Sequence, residues 1–198
     1  MEDTYLTLAH NSEGLYKEKG SKFLAFAFPV VNEEEIKSHL EALRKQYYDA
    51  RHHCYAYILG KDQDSYRAND DGEPNHSAGD PILGQIRSNN LTNTLIVVIR
   101  YFGGTKLGVG GLISAYKIAA AEAITNNEII EEIVKNKVKL QFDYLSMNDV
   151  MRLIKDMDLK IQNQQFDNTC LIELLVRESM LEEFINKIED LGQVNIID

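Results

Sequence analysis

Between residues 20 and 31 large and small apolar side chains alternate, a period of two that predicts a strand ending near Pro29. The pattern then changes. Asn32 is placed to cap a helix, Glu33, Glu34 and Glu35 fall in its first turn where the helix dipole favours acids, and Ile36, Leu40 and Leu43 keep a 3.6-residue spacing to about Tyr47. Residues 52–59 read as a second strand closed by Gly60, and 61–81 as a long irregular stretch of polar turn formers. A short helix is expected over 81–88. The run Leu95-Ile96-Val97-Val98-Ile99 predicts a strand to Arg100 that is buried on both faces. After a glycine cluster, a helix over 112–126 would turn Leu112, Tyr116, Ala119, Ala120 and Ala123 inward. This order predicts an α+β domain of two layers, with helices on one face of a sheet.

Residues 126–136 form a boundary with an acidic piece at 128–132, so domains are expected at 1–133 and 134–198. In the second, a strand over 137–142 and a helix over 147–157 precede a hairpin, 159–166 with 170–176, around Asp167-Asn168-Thr169. A helix over 179–191 and a strand over 194–197 complete β-α-β-β-α-β, the split-βαβ or ferredoxin-like order. That scaffold hosts many functions and by itself names none.

The 198 residues are 44% hydrophobic, ordinary for a globular protein. The longest aliphatic run is far below the ~18 residues of a membrane span, so no membrane association is expected. The opening Met1-Glu2-Asp3-Thr4-Tyr5 lacks the basic-then-apolar layout of a signal peptide. Cys54 and Cys170, 116 positions apart, make neither a disulfide framework nor a zinc knuckle. A cytoplasmic protein with reduced thiols is the expectation. The net charge of −10 argues against a generic DNA-coating protein. It is uneven, however: residues 126–198 carry 8 basic and 15 acidic residues, whereas 51–125 carry 7 of each. Any phosphate contact is therefore expected from the middle of the chain.

Two segments there carry chemistry. In Asp70–Pro81, glycines and prolines shape a loop whose acids and His76 could ligate a cation. Their spacing matches no calcium or zinc loop, and capping of backbone turns by Asp is the simpler role, so no metal is expected. Asp71, Glu73, His76 and Ser77 are the candidate site residues of this loop. The second segment runs from Arg100 to Lys117 and holds five of the 12 glycines. Its strand, glycine loop and helix would leave free N–H groups at a helix start, a natural anion site. Candidate anion-binding residues are Arg100, Tyr101, Gly103, Gly104, Lys106, Gly108, Gly110, Gly111 and Lys117. The sequence is neither a P-loop nor a dinucleotide fingerprint. The glycines could equally serve close packing and a tight turn, and the two roles are compatible. Tyr101 and Phe102 could stack on bases, although aromatics at a strand end are more often core. His52 and His53 on one strand face opposite ways, which disfavours a shared metal. Ser77 and Ser114 lack a nucleophile-elbow motif.

Together, Asp71-Gly72-Glu73-Pro74, Ser77-Ala78-Gly79 with Pro81, Arg100-Tyr101-Phe102-Gly103-Gly104, Lys106-Leu107-Gly108, Gly110-Gly111-Leu112 and Ala115-Tyr116 resemble the IMPACT family in its two-domain bacterial form. Gly20-Ser21-Lys22-Phe23 and Ala50-Arg51-His52 with Tyr55-Ala56 also fit. The ordered series covers roughly residues 15–125. It departs at His76-Ser77, where the family often has Gly-Thr. The resemblance implies an N-terminal α+β domain similar to domain IV of elongation factor G and to a domain of a small-subunit ribosomal protein. It implies a ferredoxin-like C-terminal domain similar to domain V of that factor. Eukaryotic members are linked to translational control through a regulator of an initiation-factor kinase, a partner system not carried over to this chain. The resemblance supplies no catalytic set and no cofactor.

The leading expectation is a non-enzymatic, translation-associated protein contacting RNA or the ribosome through its N-terminal domain. An enzyme acting on a phosphorylated small molecule, with Asp71, Glu73 or His76 as acid/base, would need the two segments to share a cleft. A protein-interaction module meeting a basic partner through the acidic C-terminal domain is the third reading.

Overall fold

The computed structural model describes residues 3–197. Met1 and Glu2 of the acidic opening, and the terminal Asp198, lie outside the described residues. The chain divides into two compact units, Tyr5–Glu132 and residues 133–197 with 3 and 4.

The first unit is built on a five-stranded antiparallel sheet, ordered β2 (Ser12–Glu18), β3 (Ser21–Pro29), β6 (Thr94–Tyr101), β4 (His52–Leu59), β5 (Ser65–Asn69). β1 (Thr4–Leu8) and β7 (Ile129–Ile133) pair as a separate two-stranded sheet. Central β6 is buried along nearly its whole length, and alternation along it separates two cores. Ile96 and Val98 pack with Ile82 and Ile86 of α2 (Gly79–Ser88) and with Tyr116, Ala119 and Ala120 of α3 (Gly108–Thr125). Leu95, Val97 and Ile99 pack on the other face with Ile36 and Leu43 of α1 (Glu33–Gln46). The expectation of helices on one face is thereby corrected: the unit has three layers, helices on both sides of one sheet. A central strand apolar at every position requires this, because either bare face would expose about half of its aliphatic area.

Local signals act as physical chemistry requires. Asn32 caps α1, its side chain accepting from the Glu35 amide at 2.9 Å. α3 offers alanines to the sheet, so the chains meet closely: a methyl on Gly14 of β2 would lie 2.5 Å from the Ala123 nitrogen. α3 also starts four residues before the expected point, taking Gly108, Gly110 and Gly111 into its first turn. The irregular stretch 61–81 contains β5, a polar edge strand paired only with β4, which lacks an apolar face to announce it.

The second unit runs β8 (Lys135–Phe142), α4 (Met147–Asp156), β9 (Lys160–Phe166), β10 (Cys170–Arg177), α5 (Leu181–Leu191) and β11 (Val194–Ile197). Its sheet is antiparallel in the order β11-β8-β10-β9. Leu140, Ile172 and Leu174 meet Val150, Ile154, Phe184 and Ile188 of the helices. Asp3 joins this unit: its carboxylate accepts from Arg177 Nε at 2.7 Å, Arg177 Nη2 at 2.6 Å and the Ser179 amide at 3.0 Å.

Candidate functional site: a cationic cleft at the start of a helix

Alternation along β6 sends Arg100 and Tyr101 to opposite faces. Arg100 is 6% exposed on the α3 side. Its Nη1 donates to Glu73 Oε1 at 2.7 Å, and the same oxygen accepts from Tyr116 Oη at 2.7 Å. The Cys54 thiol lies 3.4 Å from Tyr116 Oη and 3.0 Å from the Asp70 carbonyl. Burial pushes both the Cys54 thiol and the Tyr116 phenol well above their usual ranges, so both stay neutral. A buried ion pair therefore sits in a neutral hydrogen-bonded frame. Arg100 Nε is buried with no acceptor. A buried donor left in that state costs roughly 1–3 kcal/mol.

Above this pair lies an open cleft of about 530 Å³, lined among others by Arg51, His52, Glu73, Pro74, Arg100, Phe102, Lys106, Gly108 and Val109. It joins the 70–80 loop to the glycine turn. Arg51, Arg100 and Lys106 bring three positive charges against the one carboxylate of Glu73. His52 Nδ1 donates to the Asp71 carbonyl at 2.9 Å, which fixes the orientation of the ring. Phe102 is exposed, and the Arg100 guanidinium carbon lies 5.6 Å from its ring centre.

The glycines divide by role. A methyl on Gly103 would lie 1.9 Å from the Gly20 carbonyl carbon, so this residue is set by chain-to-chain contact. Its amide is also spent, donating to Ser21 Oγ at 3.2 Å. Gly108, at φ +73°, is where the chain swings into α3. Gly110 has neither constraint: its φ is not positive, and a methyl there would meet no atom within 4 Å. No side chain caps the start of α3, and residues 108–110 are exposed. The amides of Gly108, Val109 and Gly110 have no partner within the helix.

The remaining candidates stand elsewhere. Tyr101 belongs to the α1 face, where its hydroxyl donates to Asp49 Oδ1 at 2.7 Å; that hydrogen bond pushes the phenol up to about 12. Lys117 is exposed on α3, nine residues or ~13 Å beyond Gly108. Asp71 accepts from the His53 amide at 2.7 Å, with Arg44 at 3.7 Å. Ser77 is fully buried, its hydroxyl on the Pro74 carbonyl. His76 points to Asp80 at 2.6 Å and has φ +63°, the left-handed conformation that glycine adopts most easily. Asp70 accepts from the amides of His76, Ala78 and Gly79, the turn-capping role of Asp. Among the described residues no three His, Cys, Asp or Glu side chains are grouped to hold a metal.

Arg51 escapes the reading by chemistry, since it stands just before an ordinary strand, and His52 is weighed there only as a metal ligand; their place in the motif series marks both. Phe102 was noticed as a stacking residue, but its exposure could not be read from its neighbours.

The molecule is thus a two-unit α+β protein whose first unit carries a cationic cleft at a glycine-rich helix start. The model of the Impact N-terminal domain matches residues 19–124, and this chain belongs to the IMPACT family. It is 29% identical over 181 residues to IMPACT family member YvyE of Bacillus subtilis, covering 91% of this chain and 83% of that protein. It is 30% identical over 177 residues to IMPACT family member YigZ of Escherichia coli, covering 88% and 87%. The crystal structure of a hypothetical protein superposes with a TM-score of 0.77 at 28% identity, covering 100% of this chain and 98% of that one. No helix among the described residues is long and apolar enough to cross a membrane.

Proposed function

We propose that this chain is a non-enzymatic, translation-associated protein whose first unit binds RNA through the cleft between Glu73-Pro74 and the start of α3. One observation carries the reading: an uncapped, exposed helix start opens beside Arg51, Arg100 and Lys106. Backbone amides and cations are what a phosphate oxygen needs, and Phe102 supplies a face for a base. The cleft also joins the two segments that an enzyme for a phosphorylated small molecule would require. The acid/base groups of that reading do not serve it, however. Glu73 already holds two donors, while Asp71 and His76 are committed outside the cleft. Binding is therefore the stronger reading.

The likeness of the two units to domains IV and V of elongation factor G, the domain division at residue 133/134 and a cytoplasmic setting belong to the same proposal. The strand order β11-β8-β10-β9 supports a ferredoxin-like second unit, and two buried free cysteines accord with a reducing compartment. The test is a filter-binding salt titration with structured RNA. Wild type should lose affinity steeply with salt, and Lys106→Glu should weaken binding and flatten the slope. Equal, negligible binding by both proteins overturns the reading.

A further inference from the structure

Two features of the cleft go beyond a general affinity for phosphate. Its walls are apolar and aromatic where its floor is charged: Pro74, Phe102, Leu107, Val109 and Leu112 stand around Arg100 and Lys106. Phe102 and Val109 are 59% and 52% exposed, so two large apolar side chains on the same cleft face water. A surface that only tracked a phosphate backbone would need cations and no such walls. The second feature is Arg100, whose Nε lacks an acceptor although the residue is 94% buried in the cleft floor. Its Nη1 is tied to Glu73, so the guanidinium cannot swing out to solvent to find one. A volume of about 530 Å³ is that of a small-molecule pocket, enough for one base, one sugar and one phosphate.

We propose that the cleft seats a single nucleotide unit, its phosphate at the first turn of α3 between Arg100 and Lys106 and its base against Phe102. This rests on the RNA reading and narrows it to one recognised nucleotide. The phosphate would meet the amides of Val109 and Gly110, which are exposed and have no partner within the helix. The base would stack on the exposed ring face of Phe102, with Val109 also lining the cleft. Stacking on a ring and anchoring on a fixed cation are separable contributions, so each should be lost without the other.

The intact chain is titrated with adenosine 5′-monophosphate, adenosine, inorganic phosphate and single-stranded oligoadenylate, following amide resonances of Val109 and Gly110. The monophosphate is expected to bind at least ten-fold tighter than adenosine or inorganic phosphate and to move both amides. Phe102→Ala, a change at an exposed side chain, should lower monophosphate affinity to the inorganic-phosphate level and leave inorganic phosphate unchanged. Lys106→Gln should weaken phosphate and monophosphate alike. The inference is overturned if the monophosphate binds no tighter than inorganic phosphate, or if Phe102→Ala leaves its affinity unchanged. Oligoadenylate binding that depends on Lys106 beside a weak monophosphate would overturn the single-nucleotide pocket and leave the RNA reading standing. Tight monophosphate binding without binding of oligoadenylate or structured RNA would support the pocket and remove the RNA reading.

Discussion

Gly110→Ala separates scaffolding from recognition, because the two roles predict different signs. Gly110 lies in the first turn of α3 at a φ that is not positive, and an added methyl would meet nothing within 4 Å. The substitution therefore costs no contact and no backbone strain. It removes the excess freedom of glycine from the unfolded chain and should stabilise the first unit by ~0.5–1 kcal/mol. Such a gain multiplies the folding constant by about 2–5. Helical Cβ atoms tilt toward the N-terminus, so the new methyl lies over the amides that a phosphate would approach. RNA affinity should fall about ten-fold, close to 1.4 kcal/mol. The assays are a urea melt and filter binding on the same preparation. A raised midpoint with unchanged RNA affinity would refute the account of the helix start as the phosphate seat. A lowered midpoint would refute the claim that glycine is dispensable there.

Gly103→Ala should behave oppositely, because its methyl would drive into the Gly20 backbone. Loss of the cooperative urea transition of the first unit is expected, and a wild-type transition would contradict the packing argument. Glu73→Gln leaves Arg100 buried without its counter-charge and should cost ~3–5 kcal/mol, read as a lowered denaturation midpoint. His53 is held below its usual pKa by burial, and its Nε2 has no partner. The unfolded chain thus takes up that proton first: this stability is present above pH ~6.5 and falls as pH drops below it. Urea melts at pH 7.5 and 5.5 should show the loss in wild type and less of it in His53→Asn. The Arg177 hydrogen bonds hold the Asp3 carboxyl well below the usual range, so its stabilisation is full above pH ~4 and is lost as pH falls through the folded value. Asp3→Asn should weaken amide protection in residues 170–190 at neutral pH; unchanged protection would show that the ion pair contributes nothing.

Much of the backbone was legible in short windows. The Asn32 cap with Ile36 and Leu43 marks α1, the aliphatic run marks β6 and its burial on both faces, and the alternating stretch marks β3. Those windows suffice because a cap, a turn or an apolar stripe is settled by neighbours a few residues away. β5 was not legible, since a half-exposed edge strand of Ser, Tyr, Arg, Ala and Asn has no periodic apolar signal. The layer count was not drawn from β6, although its two buried faces already required cover on both sides.

The cleft divides the same way. Residue types alone nominated Glu73, Arg100, Lys106 and the helix-start glycines, because charge, missing side chains and fixed backbone angles are properties of single positions. Which of them meet was decided only in three dimensions. Arg100 finds Glu73 27 residues away and turns from Tyr101 beside it, while Asp3 finds Arg177 across 174 residues. Alternation on a strand separates neighbours, and chain reversals bring strangers together. Local composition therefore names the groups able to hold a phosphate, and strand order and register decide which of them share a cleft.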